Sequence, residues 1–166
     1  MLISMVIREA RAEDWAAIWL ILKEVGGAGE TLTWDPKTTE ARARAGWMRE
    51  LPGRTVVAVD DHGRVVGSAN THPNHPGAGA HVANAGFVVD PARRGEGIGR
   101  ALGRRVLEQA RADGYRAMQF NAVVETNTAA VRLWRSLGFQ ILATVPEAFC
   151  HPVRGYVGLH IMYRTL

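Results

Sequence analysis

The chain has 166 residues, of which 47% are hydrophobic and 22% are charged, with a formal net charge of +4. This length suffices for one domain with a full core, and the composition is too apolar for intrinsic disorder. The single cysteine, Cys150, excludes a disulfide framework and a cysteine-based zinc site. No apolar run approaches the roughly 20 residues of a membrane-spanning helix, and residues 1–10 lack the pattern of a secretory signal. We therefore expect one domain over residues 1–166, in a cytoplasmic protein without a membrane partner.

The first half of the chain is predicted to form two helices and four strands. In the first helix an apolar side chain recurs at the three- and four-residue spacing of an amphipathic helix, at Trp15, Ile18, Trp19 and Leu22. In chain order we expect a strand at Ser4–Glu9, a helix at residues 13–25 ending at Gly26-Gly27, a helix at Thr38–Leu51, a hairpin of strands Thr55–Val59 and Val65–Thr71, a loop at His72–Gly79 and a strand at His81–Val89.

The second half alternates helices and strands. The pattern predicts a helix at Ile98–Ala112, a strand at Ala117–Val124, a helix at Asn127–Leu137 that stops at Gly138, and strands at Phe139–Val145 and Tyr156–Tyr163. The full order, β-α-α-β-β-β-α-β-α-β-β, is typical of an α/β (α+β) domain with a mixed sheet.

A glycine-rich segment, Arg93-Arg94-Gly95-Glu96-Gly97-Ile98-Gly99, precedes the helix at residue 98. Glycines allow a ligand to approach the backbone, and the N–H groups at a helix start attract anions. Arg93, Arg94 and Arg100 add positive charge for a phosphorylated ligand. The Walker and dinucleotide patterns do not match, because no Gly-Lys-Ser/Thr follows and the spacing is G-x-G-x-G. A plain glycine turn before a helix is the alternative interpretation.

Two motifs together resemble those of one enzyme superfamily. Arg94, Gly97 and Gly99 resemble the R/Q-x-x-G-x-G/A pyrophosphate motif of the GNAT superfamily of N-acetyltransferases, and residues 127–139 resemble its N-x-x-A-x-x-L-Y-x-x-x-G-F helix. The resemblance covers essentially the whole chain. It implies a mostly antiparallel sheet of about seven strands flanked by about four helices, with the fourth and fifth strands splayed apart. One departure is Trp134, which stands where many members carry a tyrosine.

The resemblance also implies the acyl donor and the residues that contact it. The donor is expected to be acetyl-CoA, with coenzyme A as the co-product and no metal. Attack by the amine is then direct, so Cys150 need not be a nucleophile and is interpreted as structural. The implied cofactor contacts lie on the fourth strand, the glycine segment and the last helix: Phe87, Val88, Val89, Arg94, Gly95, Glu96, Gly97, Ile98, Gly99, Arg100, Asn127, Ala130 and Trp134.

Asn84 and Asn121 lie inside predicted strands, where asparagine is depleted. A buried, unpaired amide costs about 1–3 kcal/mol. The amides are therefore satisfied by a strand bulge or an ordered water, or they face the cleft between the splayed strands together with Asn127. We predict the second arrangement and assign catalytic roles to Asn84, Asn121 and Glu125. Because an amide cannot take a proton, Glu125 and His81 are the nearest titratable candidates in sequence, acting through water.

A narrower resemblance concerns the acceptor. Residues 81–87, Phe120-Asn121 and residues 125–127 are similar to fungal N-acetyltransferases that act on proline analogues such as azetidine-2-carboxylate. Residues 29–34 are similar to phosphinothricin-type acetyltransferases, which acetylate a small amino acid. The resemblance implies acetyl transfer to a small, amino-acid-like amine. The alternatives are a protein or peptide N-acetyltransferase and a non-catalytic acyl-CoA-binding module.

Other candidate sites carry less weight. His72 and His75 in the proline-containing loop have no apparent third metal ligand, so we interpret them as polar loop residues. The helix at residues 98–112 is rich in arginine but lacks the interleaved aromatic residues of a nucleic-acid surface, so we expect no nucleic-acid partner. The remaining expected partners are a small-molecule amine and a second copy of the chain. The arginine- and alanine-rich composition points to a bacterial source.

Overall fold

Between residues 4 and 166, which the computed structural model describes, the chain forms seven strands and four helices. The strands are β1 (Met5–Glu9), β2 (Arg54–Asp60), β3 (Val65–Pro73), β4 (Val82–Val89), β5 (Ala117–Val124), β6 (Gln140–His151) and β7 (Gly155–Thr165). The helices are α1 (Trp15–Ala28), α2 (Glu40–Trp47), α3 (Ile98–Ala112) and α4 (Thr128–Ser136). No helix in this part of the chain is long and apolar enough to cross a membrane.

The seven strands form one sheet in the order β1-β2-β3-β4-β5-β7-β6. Every neighbouring pair is antiparallel except β4 and β5, which run parallel. The β4–β5 ladder contains only the pairs Val82–Ala117 and Ala83–Met118. Beyond Ala83 the two strands are no longer paired, so a cleft opens between them. The predicted mixed sheet with splayed fourth and fifth strands is confirmed.

Two apolar clusters hold the helices against the sheet. The first includes Leu102 and Val106 of α3, which lie four residues apart on one helix face. An added Cβ at Gly67 of β3 would lie 2.9 Å from the Ile98 side chain, so this glycine lets α3 approach the sheet closely. The second cluster includes Ile18 and Leu22 of α1, together with Trp47 at the end of α2. The indole of Trp47 is fixed there because it donates a hydrogen bond to Ser68 Oγ at 2.9 Å.

Several predicted element bounds were wrong. Helix α1 continues through Gly26-Gly27 and ends at Gly29, whose φ of 67° is left-handed. Helix α2 is shorter than Thr38–Leu51, because Thr39 caps its start and the chain becomes extended at Met48. Strand β3 extends to Pro73, so His72 is a strand residue paired with β4 and not a loop residue. The last two strands are longer than predicted, because bulges in the β6–β7 ladder interrupt the alternation of apolar residues.

Candidate active site

A cavity of about 930 Å³ occupies the gap between β4 and β5. It is lined by both strands, by the glycine segment before α3, by the start of α4 and by residues 30–34 that follow α1. The segment that resembles phosphinothricin-type acetyltransferases in sequence therefore forms part of the cleft wall. Trp34 is held there by an edge-on contact with Trp47, their ring centroids lying 6.1 Å apart.

One end of the cleft is a cradle of backbone N–H groups. Gly95 and Gly97 have φ values of 80° and 82°, which require glycine although no atom lies within 4 Å of an added Cβ. No group in residues 4–166 accepts a hydrogen bond from the N–H groups of residues 94–100, and the first to be paired is that of Ala101, which donates to the Gly97 carbonyl at 3.0 Å. With the positive end of α3 behind them, these N–H groups can bind a phosphate or pyrophosphate.

The charge around the cradle is divided between paired and unpaired arginines. Arg93 contacts Asp60 at 3.0 Å and Glu96 at 2.6 Å, so its charge is balanced within the protein. Asp60 also accepts hydrogen bonds from backbone N–H groups, first among them that of Arg64, and these contacts lower its pKa from 3.8 to about 2. Arg94 and Arg100 line the cleft without an ion pair in the described part of the chain. These two residues supply the positive charge predicted there, whereas Arg93 links the glycine segment to Asp60 through its ion pairs.

An aromatic cluster lies beneath the middle of the cleft. The Trp134 ring lies 4.5 Å from that of Phe87 and 4.8 Å from that of Phe120, between centroids. Trp134 is only 7% exposed, yet it lines the cleft together with Phe87 and Val89. Its indole N–H has no hydrogen-bond acceptor in residues 4–166. A tryptophan at this position offers a donor and an apolar wall, but no ionisable proton.

The three asparagines all line this cleft. Asn84 Oδ1 accepts a hydrogen bond at 2.8 Å from the N–H of the next residue, Ala85. Asn121 lies where the β5–β7 register shifts, and its amide donates to Asn74 Oδ1 at 2.8 Å. Both interpretations from the sequence therefore apply to Asn121, which is on a bulge and also lines the cleft. Asn127 caps α4 by accepting the Ala130 N–H at 3.4 Å.

The structure does not bring three of the predicted side chains to the cleft. Glu125 is not among the lining residues, because its carboxylate turns to the adjacent strand and accepts the Gly158 N–H at 2.6 Å. The Glu96 carboxylate is held by Arg93, which leaves only its backbone N–H for the cradle. His81 is exposed and lines a separate groove beside Tyr115. The remaining predicted contacts line the cleft: Phe87, Val88, Val89, Arg94, Gly95, Gly97, Ile98, Gly99, Arg100, Asn127, Ala130 and Trp134.

Four polar or charged cleft residues were not assigned to the site from the sequence: Arg49, Asn70, His72 and His151. Asn70 and His72 alternate along β3 and are paired with Gly86 and Asn84 of β4. Residues at alternate strand positions share one face, so this signal was available once β3 was extended by two residues. Arg49 and His151 reach the cleft only through the tertiary fold, and no local pattern marks them.

Comparison with known proteins identifies the family. Residues 15–139 match the acetyltransferase (GNAT) family. The chain belongs to this family. It is accordingly an acetyltransferase enzyme, and the cradle before α3 lies where the predicted pyrophosphate motif was located in the sequence.

Three curated relatives are similar over different lengths. The chain is 31% identical to an L-methionine sulfoximine/L-methionine sulfone acetyltransferase of Salmonella typhimurium over 86% of its length and 84% of the relative. It is 32% identical to the L-amino acid N-acyltransferase MnaT of Escherichia coli, with the same coverage. It is 34% identical to N-acetyltransferase aca1 of Schizosaccharomyces pombe over 58% of this chain, but spans only 46% of that relative.

Two solved structures share the whole fold. A GCN5-related N-acetyltransferase from Kribbella flavida is 54% identical and superimposes with a TM-score of 0.96 over 98% of both chains. The acetyltransferase yncA from Salmonella typhimurium, solved with its cofactor acetyl-CoA, is 28% identical. It superimposes with a TM-score of 0.83 over 98% of this chain and 94% of that one.

Proposed function

We propose that this acetyltransferase transfers an acetyl group from acetyl-CoA directly to the amine of a small, amino-acid-like substrate. The two relatives that match over most of their length are named for L-methionine derivatives and for L-amino acids, and yncA was solved with acetyl-CoA. The unpaired N–H groups of residues 94–100, with Arg94 and Arg100 beside them, fit a pyrophosphate.

The position of Arg49 in the cleft is the main evidence for an amino-acid-like acceptor. Arg49 lines the cleft on the side of β3 and α2, away from the cradle, and it has no carboxylate partner in residues 4–166. A guanidinium binds a carboxylate with two parallel hydrogen bonds. A substrate amine that has no carboxylate cannot form this pair of bonds. Asn84 is on the same side, so the acceptor end of the cleft offers a cation and an amide. The amide of Asn70 is buried there and is held by the Trp47 carbonyl and the Gly86 N–H. This set suits the carboxylate and ammonium of an amino acid.

The chain's own groups account for binding and orientation. Acetyl-CoA, when bound, supplies the thioester whose acyl carbon is attacked. The edge of β4 beyond Ala83 is unpaired on the side of β5 and can hydrogen-bond an extended arm. Phe87 and Trp134 provide an apolar wall that excludes water from the middle of the cleft. The amide NH₂ of Asn84 has no acceptor in the described residues, so it can donate to a bound carbonyl or carboxylate.

Residues 30–34 line the cleft and add to its walls, which favours a small acceptor over a peptide. A panel assay tests the proposal directly. The protein is incubated with acetyl-CoA and free amino acids, the corresponding amino-acid amides, and peptides that begin with the same residues. Thiol release and product mass are then followed. We expect free amino acids to be the best acceptors.

Two outcomes would contradict this proposal. Peptides as the best acceptors would indicate a peptide N-acetyltransferase, and no thiol release above background would indicate an acyl-CoA-binding module. The variant Arg49→Met should reduce kcat/KM for amino acids at least tenfold and for the amides much less, because only the former lose a carboxylate contact. Arg44→Met is the matched control, since Arg44 is an exposed residue of α2 outside the cleft lining.

The exposed edge of the sheet bears on whether the chain forms a dimer. Strand β6 is at the edge of the sheet and exposes Leu142 and Val145, which are 57% and 45% accessible. An exposed apolar edge strand favours pairing with a second copy. We propose a homodimer that uses β6, in a bacterial and cytoplasmic enzyme. Light scattering after gel filtration should give twice the mass of 18.1 kDa, and Leu142→Glu should reduce it to the monomer mass.

A further inference from the structure

His72 and Asn84 are directly opposite each other in the antiparallel β3–β4 ladder. Side chains of directly opposed residues lie on the same face with Cβ atoms about 4.5–5.5 Å apart. Both side chains line the cleft. Since Ala83 is the last β4 residue paired with β5, the His72–Asn84 pair lies at the point where the two strands begin to separate. An imidazole is thereby placed on the acceptor side of the opening.

The hydrogen bonds of His72 fix which ring nitrogen can take a proton. Nδ1 lies 2.8 Å from the Pro73 carbonyl oxygen, which only accepts, so Nδ1 carries the hydrogen of the neutral ring. Nε2 is then the free acceptor, and no group in residues 4–166 donates to it. Burial lowers the pKa of His72 below its usual 6.5; the hydrogen bond to the Pro73 carbonyl opposes this shift, and the nearby charge of Arg49 adds to it. The ring is therefore neutral at pH 7 and can accept a proton.

The other ionisable side chains around the cleft, apart from Glu30, are less suited to this task. The arginine side chains that line the cleft have hydrogen-bond donors and no acceptor, so they cannot serve as a base: Arg49, Arg93, Arg94 and Arg100. His151 accepts N–H groups of Val153 and Arg154 at Nδ1, so its neutral ring carries the hydrogen on Nε2 and has no free acceptor nitrogen. Among residues 4–166, Glu30 is the one carboxylate that lines the cleft, and it is the alternative base.

We propose that His72 is the general base of the reaction, an inference that rests on the proposed acetylation of an amino acid. An alkyl ammonium is almost fully protonated at pH 7 and has no lone pair with which to attack. Nε2 of His72 removes one proton from the ammonium. The nitrogen lone pair then forms the C–N bond to the acyl carbon as the C–S bond breaks. The second proton on nitrogen passes through water to the departing thiolate, which gives coenzyme A as the thiol. The proton on His72 returns to solvent.

The test compares non-titrating variants with a matched histidine. His72→Gln and His72→Asn keep a polar side chain, and the asparagine can still donate to the Pro73 carbonyl. We expect kcat/KM for the best amino acid at pH 7 to fall at least a hundredfold in both. The acidic limb of the pH profile, which reports protonation of His72, should disappear. His75→Gln is the control, because His75 is exposed and outside the cleft lining, and its activity should stay within twofold of the parent.

A second measurement does not depend on turnover. Histidine NMR titration of the protein alone should show a ring with a pKa below 6.5 and the hydrogen on Nδ1, and this signal should be missing from His72→Gln. Calorimetry should give the same acetyl-CoA affinity for the variant and the parent.

The outcomes separate this inference from the proposed function. An inactive parent protein that binds acetyl-CoA would contradict the proposed function itself. If the parent acetylates amino acids and His72→Gln retains both its rate and its acidic limb, the assignment of His72 is wrong. Loss of that limb in Glu30→Gln instead would identify Glu30 as the base.

Discussion

Asn84 is the first residue of β4 beyond its last pair with β5, and its partner across the β3–β4 ladder is His72. The end of the β4–β5 ladder, which opens the cleft, thus also places an amide and an imidazole beside each other at the point where the strands separate. Because the sheet is interrupted here, these two polar side chains face the cleft and are not buried without hydrogen-bond partners. The same local feature therefore creates the cleft and supplies its polar groups.

Truncation of Asn84 should affect the acceptor and not the acyl donor. Its oxygen is already satisfied by the Ala85 N–H, so its amide NH₂ is the part available to a ligand. A hydrogen bond to a charged group contributes about 1.5–3 kcal/mol, so Asn84→Ala should lower kcat/KM at least tenfold. Steady-state kinetics with the best amino acid measures this change. An unchanged value would show that the amide is structural, and Gln140→Ala, which removes an exposed amide on β6, is the control.

Substitution of Gly97 should weaken acetyl-CoA binding through the backbone. Its φ of 82° disfavours any side chain, while no atom lies within 4 Å of an added Cβ. Gly97→Ala should therefore shift the N–H groups of the cradle and raise the dissociation constant of acetyl-CoA at least tenfold, as measured by calorimetry. Gly63→Ala is a matched control, because Gly63 has a φ of 76°, equally open surroundings and a place in the β2–β3 turn outside the cleft. Equal effects of the two changes on binding would contradict a ligand role for the cradle.

Local sequence patterns predicted the parts of the site that are local. The bounds of α3 and β5 agree with the prediction, because α3 has apolar residues at helical spacing and both elements have clear ends. The glycine segment was recognised because the spacing of glycines with positive φ is itself a local property. Glu125 was selected for its nearness in sequence to the asparagines, but its carboxylate accepts the Gly158 N–H and does not line the cleft.

The acceptor side of the site depends on contacts between distant segments. His72 was placed in a loop because Pro73 follows it, yet proline is tolerated at the end of a strand. Arg49 reaches the cleft because α2 ends early and the Arg49 N–H donates to Thr55 Oγ1 at 2.9 Å. Helix α1 continues through Gly26-Gly27 because packing of its apolar face outweighs the low helix propensity of two glycines, about 1 kcal/mol each. Strand register and packing between distant segments cannot be predicted from a short stretch of sequence.

Protonation of Asp60 at low pH should destabilise the fold and loosen the contacts that hold the cradle. The Asp60 side chain is 1% exposed and is held by Arg93 and by two backbone N–H groups. Its folded-state pKa of about 2 is below the ordinary 3.8, so the ionised carboxylate stabilises the fold above about pH 4, and this contribution is lost as the pH falls towards 2. Asp60→Asn should lower Tm at pH 7, and the difference from the parent should shrink between pH 4 and 2.

The neighbouring Asp61 provides the control for that comparison, because it is 61% exposed and contacts only His62 at 3.5 Å. Asp61→Asn should leave Tm nearly unchanged at both pH values. Asp60→Asn should also weaken acetyl-CoA binding, since Arg93 would lose one of its two carboxylate partners and hold Glu96 less firmly. A constant Tm difference from pH 7 to pH 2 would contradict the assigned ion pair.

Trp134→Tyr tests whether the enzyme needs a proton donor for the departing thiolate. A thiol with a reference pKa near 8.5 is a tolerable leaving group as the thiolate, so we expect the maximal rate to change by less than about tenfold. The smaller ring leaves space against Phe87 and Phe120, which should lower the free energy of unfolding by about 1–3 kcal/mol in urea denaturation. Trp134→Phe removes similar bulk without adding a hydroxyl and so isolates the packing effect. A rate at least a hundredfold higher for tyrosine than for phenylalanine, worth about 2.7 kcal/mol, would show that the native site lacks a needed acid.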